Sequence, residues 1–186
     1  MENQANLLHD PDTPVYGPDN AKVAVIEFFD YQCVFCSRFA PELEKVMKAQ
    51  PDVRYLFKEW PIFGGRWEAS LQAAQQGLTV WQKKGPQAYV TYHNAIYATG
   101  HNEGKLTAED ILAAASKAGL AASVPGNHTA SLEKNSNLAE ALGLTGTPGI
   151  IVMPVSGATP DTITVFPEAV TADKLQAAIR KATRVK

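Results

Sequence analysis

Cys33-Val34-Phe35-Cys36 constrains this chain more than any other feature. The two cysteines are the only two in 186 residues, and they follow directly on the run Val23-Ala24-Val25-Ile26-Glu27-Phe28-Phe29. An almost continuously apolar run of that length predicts a buried strand. Beyond the pair, Phe39, Leu43, Val46 and Met47 continue at helical spacing to about Gln50, with Pro41 expected to kink the helix. The cysteines therefore stand where a strand hands over to a helix. At such a helix N-terminus, partial positive charge favours thiolate over thiol. Two cysteines make no disulfide framework, and a bond closing so tight a loop adds little stability by the chain-entropy argument. The pair is there for chemistry.

Charge and composition exclude several classes of function. The net charge is −2 and the hydrophobic fraction 45%, ordinary for a globular chain with a real core. Basic runs are no longer than Lys83-Lys84, so no nucleic acid partner is expected. Apolar stretches fall well short of the ~20 residues that a membrane helix needs. Met1-Glu2-Asn3-Gln4-Ala5-Asn6 lacks the basic start and apolar middle of a secretory signal. That fits either a cytoplasmic protein or the mature form of an exported one with an added Met1. His9, His93, His101 and His128 are scattered and complete no zinc set with the cysteines, so no metal is expected.

Length favours one domain. Residues 1–20, with Pro11, Pro14 and Pro18, read as an extended N-terminal segment leading into a domain over 21–186. Residues 53–60 alternate as a second strand. A helical insertion is expected over about 66–143. Within it Trp67, Leu71, Ala74, Leu78 and Trp81 repeat on one helix face. Gly85-Pro86 ends that helix and starts another through Tyr89, His93 and Ile96, where His93 reads as a packing residue. Thr107 caps a third helix, and residues 131–142 form a fourth. Strand character returns over 149–153 and 162–166, read as a hairpin, and residues 171–182 end the chain as an amphipathic helix. The order is β, α, β, a helical block, β, β, α.

Thiol–disulfide exchange needs an exposed attacking thiolate and a second thiol to resolve the mixed disulfide. Cys33, at the helix end and nearer solvent, is read as the nucleophile, and Cys36, one turn in and more buried, as the resolving thiol. Val34 and Phe35 bring no charge. Support for the thiolate must then come from the helix end, nearby N–H groups and the Cys36 thiol. Thr145-Gly146-Thr147-Pro148-Gly149 is the second signal, because a proline at a strand start after such a run predicts a cis-proline turn.

Three motifs in this order carry a resemblance: Glu27-Phe28-Phe29-Asp30-Tyr31-Gln32-Cys33-Val34-Phe35-Cys36, Lys58-Glu59-Trp60-Pro61-Ile62-Phe63-Gly64, and Gly146-Thr147-Pro148-Gly149. With the long stretch between Cys36 and Pro148, the chain resembles the DsbA-like thiol:disulfide interchange proteins of the thioredoxin superfamily over roughly residues 10–186. The resemblance implies an α/β thioredoxin fold with an inserted helical domain. It also implies a protein thiol:disulfide oxidoreductase that needs no metal or organic cofactor. By the same resemblance the Thr147-Pro148 loop lies against the pair and, with Val34 and Phe35, binds substrate, the backbone before the proline taking a peptide as an added strand. Thr147 then faces Cys33, its hydroxyl near the sulfur. Glu27 is implied to lie buried beneath the disulfide, raised by desolvation, moving protons to and from Cys36. Lys58 or Glu59 is expected to pair with Glu27 or to face the site.

Members of that family are usually exported, so a periplasmic location is implied. The implied partners are unfolded or disulfide-containing proteins and a membrane protein that recycles the pair. Two departures leave the direction open between oxidase and reductase or isomerase. Val-Phe replaces the Pro-His of strongly oxidising members, and Thr147 replaces the Val that precedes the proline in those oxidases. Only about 20 residues precede the first strand, too few for the oligomerisation segment of the isomerases; a monomer is expected. The alternative class is a non-catalytic binding module on the same fold, its disulfide a plain staple.

Overall fold

In the computed structural model, which describes residues 3–121 and 126–184, five strands form one sheet. In spatial order they are β1 (Val15–Tyr16), β3 (Arg54–Glu59), β2 (Val23–Phe29), β4 (Gly149–Pro154) and β5 (Thr164–Phe166). β2 and β3 are parallel, and the crossover that such a pair requires is α2 (Val34–Ala49). β4 lies antiparallel to both β2 and β5, and β1 antiparallel to β3. Between β3 and β4 come α3 (Glu68–Lys84), α4 (Pro86–Ala98), α5 (Ala108–Lys117) and α6 (Thr129–Ala141); α7 (Ala172–Ala182) ends the chain. This is a thioredoxin-type α/β fold.

Period-two alternation explains how the sheet is covered on both faces. On one face Val25, Phe29 and Phe57 pack against Phe39 and Leu43 of α2 and Tyr92 of α4. On the other, Ile26, Phe28 and Leu56 pack against Leu7, Leu8 and Leu138. Every residue of β2 is buried, as its unbroken apolar run predicts. The same alternation sorts the charged residues of the sheet. Glu27 shares a face with Phe29 and the cysteines, whereas Lys58, between Phe57 and Glu59, must point to the opposite side.

Three local expectations change. The segment 1–20 is not simply extended. Gln4–Leu8 form a short helix, α1, and Val15–Tyr16 add an edge strand. A five-residue helix has little stability of its own; burial of Leu7 and Leu8 against the sheet holds it. Next, Pro41 does not interrupt α2, which runs through it from Val34 to Ala49, and Pro41 itself lies exposed. Finally, α3 is buried on more than the stripe of large residues. Ala74 and Leu78 of that stripe are buried and Leu71 is 39% exposed, while Ser70, Ala73, Gly77 and Val80 form a second buried face. The small residues permit close approach: a Cβ on Gly77 would lie 2.6 Å from Glu59 Oε2.

Candidate active site

Cys33 is the N-cap of α2. Its backbone is extended (φ −77°, ψ 119°) and its sulfur accepts the Cys36 N–H at 3.3 Å. A sulfur thus occupies the position where Ser or Asp oxygen commonly caps a helix. A thiolate there gains a charge-assisted hydrogen bond and the helix-end potential. Both cysteines are present as thiols. The Cys33 thiol is pulled down to about 6, first by hydrogen bonding with the Cys36 thiol, with the N–H groups of Cys36 and Phe35 adding to it and burial opposing. Cys36 moves the other way. Burial pushes it well up, and its hydrogen bond to Cys33 and the charges of Cys33 and Glu27 reinforce the shift. At neutral pH the pair therefore holds one thiolate and one thiol that must lose a proton before it can react.

Access to the pair is narrow. Cys33 keeps 3% of its surface and Cys36 none, so Cys33 is nearer solvent by a small margin only. The side chain that stands out is Phe35, 54% exposed, with the Arg38 guanidinium 5.4 Å from its ring centre. The Thr147-Pro148 peptide bond is cis. The Thr147 carbonyl lies 3.4 Å from the Cys33 sulfur, and the Thr147 side chain also helps to lower the Cys33 thiol, its hydroxyl being buried with no closer hydrogen-bond partner. The pairing of Gly149 with Phe28 carries the Thr147 backbone across the end of β2 and explains why main chain reaches the sulfur.

Glu27 is 2% exposed, and its Oε1 has no hydrogen-bond partner. Burial raises its carboxyl well above the usual range, with the negative charges of Cys33 and Glu59 adding to the effect. Neither Lys58 nor Glu59 pairs with it. Lys58 Nζ lies behind the sheet, donating to the Asn6 carbonyl (2.8 Å) and Thr13 Oγ1 (2.7 Å). Glu59 Oε2 accepts the hydroxyls of Tyr31 (2.8 Å) and Tyr89 (2.6 Å).

The group that does face Glu27 is His93, whose Nε2 lies 3.9 Å from Oε1 and likewise has no hydrogen-bond partner. His93 Nδ1 stands 3.0 Å from Asn94 Oδ1. Burial lowers His93 to about 4. A neutral acid thus faces a neutral imidazole. His93 packs edge-on against Phe29 and Phe57, as a packing residue should, but it also stands beside Glu27. Its place on the inward stripe with Tyr89 and Ile96 is visible in sequence; what it faces is not.

Sequence reasoning also passed over Glu103, in the loop before α5. Its Oε1 accepts the Val34 N–H at 3.0 Å, one residue from the Cys33 sulfur.

Thiol chemistry at the end of a strand on this fold is the mark of the thiol–disulfide oxidoreductases. Comparison with known proteins agrees. The sequence model of the family described as Thioredoxin matches residues 9–181. The chain belongs to the thioredoxin family. It is similar to the disulfide bond formation protein D of Bacillus subtilis (strain 168), 33% identical over 88 residues, 45% of this chain and 38% of that protein. The match thus spans well under half of that relative's length. Among solved structures it resembles Salmonella enterica Typhimurium BcfH (TM-score 0.83, 40% identity, 97% of this chain and 78% of that one). It also resembles a periplasmic thioredoxin-like protein from Salmonella enterica serovar Typhimurium (TM-score 0.80, 29% identity, 96% of this chain and 95% of that one).

Proposed function

We propose that this protein exchanges disulfides with substrate proteins through a mixed disulfide at Cys33. The observation that carries the reading is the division of labour within the pair: Cys33 caps the helix with its thiol lowered to about 6, and Cys36 is buried and raised. In the oxidising direction a substrate thiolate attacks Cys33 Sγ. The Cys33–Cys36 bond breaks and its electron pair goes to Cys36, which takes a proton from Glu27. A second substrate thiolate then attacks the substrate sulfur of the mixed disulfide and releases Cys33 as thiolate. In the reducing direction the Cys33 thiolate opens a substrate disulfide. Glu27, which must first ionise, then takes the Cys36 proton, and the Cys36 thiolate attacks Cys33 Sγ, releasing the substrate thiolate. Glu27, with its raised carboxyl, is better matched to a thiol than an ordinary carboxylate is.

The substrate backbone docks beside Thr147-Pro148 as an added strand, and the exposed Phe35 ring, with Val34, forms the apolar edge of that contact. A periplasmic location is supported by the Salmonella relative described as periplasmic. There, unfolded or disulfide-containing proteins serve as substrates and a membrane redox protein recycles the pair.

Cys36→Ser tests the mechanism: it should accumulate mixed disulfides with substrate, visible as reducible bands on a non-reducing gel, while Cys33→Ser forms none and loses exchange. Exchange that survives Cys33→Ser refutes the proposal. The direction follows from the glutathione equilibrium of the pair. A value near −120 mV marks an oxidase, one below about −200 mV favours reduction or isomerisation, and one below about −300 mV marks a structural disulfide instead.

A further inference from the structure

The loop between α4 and α5 closes over the start of the redox helix. Gln32, wholly buried just before Cys33, anchors it. Gln32 Oε1 accepts the N–H groups of Gly104 (2.8 Å) and Leu106 (3.2 Å), and Nε2 donates to Ser70 Oγ (3.3 Å). The Gln32 carbonyl accepts the Glu103 N–H at 2.9 Å. Glu103 is held at φ +53°, the one non-glycine residue with positive φ among the described residues. Few side chains adopt that conformation without a compensating contact. Gly104 follows at φ +94°, where a Cβ would lie 2.8 Å from Trp67 Nε1. The backbone is thus fixed on both sides of Glu103, and its carboxylate is aimed at the Val34 N–H, 3.0 Å away. That N–H is among the donors that α2 leaves unpaired at its first turn, the same group of donors and the same helix-end potential on which a Cys33 thiolate draws.

We propose that Glu103 is a redox-tuning positioning residue: by placing a negative charge on the Val34 N–H it disfavours the Cys33 thiolate and makes the Cys33–Cys36 disulfide a weaker oxidant. The inference rests on the exchange reading above. Reduction by two glutathione thiols yields the dithiol and one glutathione disulfide. At neutral pH Cys33 is charged only in the reduced form, so Glu103 repels that form alone. Removing the repulsion stabilises the reduced protein, which is the route by which a disulfide becomes more oxidising. The other ionisable groups around the pair, Cys36, Glu27, Tyr97, Asp30 and Arg38, are left in place.

The test compares Glu103→Gln and Glu103→Lys with the unchanged chain. Thiolate ultraviolet absorbance gives the dissociation constant of Cys33, and a glutathione titration gives the redox equilibrium. Gln, which keeps an acceptor for Val34, should raise that dissociation constant roughly two- to fivefold, the size of helix-end charge effects. The glutathione equilibrium should move toward the dithiol with it, and Lys should carry both further. The differences should shrink at 1 M salt, where screening acts within about 3 Å rather than about 10 Å at 0.1 M. A loop that merely latches the fold would show neither the charge order nor the salt dependence. An unchanged dissociation constant in Glu103→Gln, or a shift that 1 M salt leaves intact, overturns the proposal. A chain that never equilibrates with glutathione refutes the exchange reading instead, and the thiolate titration still judges Glu103.

Discussion

Glu27→Gln probes the buried acid with the least disturbance, because it removes a titratable group and keeps its shape. Glu27 is 2% exposed with one oxygen unpartnered, so the folded protein strongly prefers the neutral acid. In the unfolded chain the same carboxyl ionises near the ordinary glutamate value of 4.5. Between that value and the raised folded value, the native state holds a proton that the unfolded state has released. Stability therefore falls with rising pH, by about 1.4 kcal/mol per pH unit, and levels off above the folded pKa. The contribution is complete below the unfolded pKa and lost as pH climbs through the folded one. Gln does not titrate. The two proteins should be nearly equal in stability near pH 4, and the variant should lead by a growing margin as pH rises above that. Glu59 is common to both and cancels to first order.

The gain in stability should come with a loss of rate. With no carboxylate to take the Cys36 proton, resolution of a mixed disulfide should slow by about 10²-fold, the low end of general-base catalysis. Guanidinium unfolding of the reduced proteins across pH 4–7 reads the first effect, and single-turnover exchange reads the second. A stability difference that does not vary with pH would show that burial does not hold the carboxyl protonated. An unchanged resolution rate would remove Glu27 from the mechanism.

Glu59, pushed up to about 8 by burial, has the same sign. Glu59→Gln should flatten the decline in stability between about pH 4.5 and 8 by a few kcal/mol, read by denaturant midpoints at each pH; an unaltered slope would contradict the assignment. Gly77→Ala should cost about 1–3 kcal/mol by overpacking, since its Cβ would meet Glu59 Oε2 at 2.6 Å and Tyr92 at 3.2 Å. A denaturant midpoint equal to that of the unchanged chain would mean that α3 can retreat.

The parts of the fold that could be read locally are those whose signals are local. The run before Cys33, the Gly85-Pro86 break and the Thr107 cap each sit within one element, and each appears where expected, with Gly85 at φ +85° and a full capping box at Thr107. The inward side of α3 was only partly legible for a physical reason. Ala74 and Leu78 of the large-residue stripe are buried, but Ser70, Ala73 and Gly77 form a second buried face, and small residues carry no apolar signal of their own. The helix at Gln4–Leu8 was hidden likewise, because tertiary burial of Leu7 and Leu8 stabilises what propensity alone would not.

The site divides along the same line. Alternation in β3 puts Lys58 and Glu59 on opposite faces in any structure, but only the register, with Glu27 beside Phe57, places Lys58 on the far side of the sheet from Glu27. His93 and Glu103 both come from the stretch between β3 and β4, far along the chain from the cysteines. Contacts across such a separation leave no trace in spacing. Their placement is nonetheless orderly: His93 stands beside Glu27, and Glu103 stands at the N-terminal end of α2. Val34 and Phe35 carry no charge, so no side chain between the cysteines sets one thiol against the other. The division is made by the Cys36 thiol and the N–H groups of Phe35 and Cys36, which lower Cys33, and by burial, which raises Cys36.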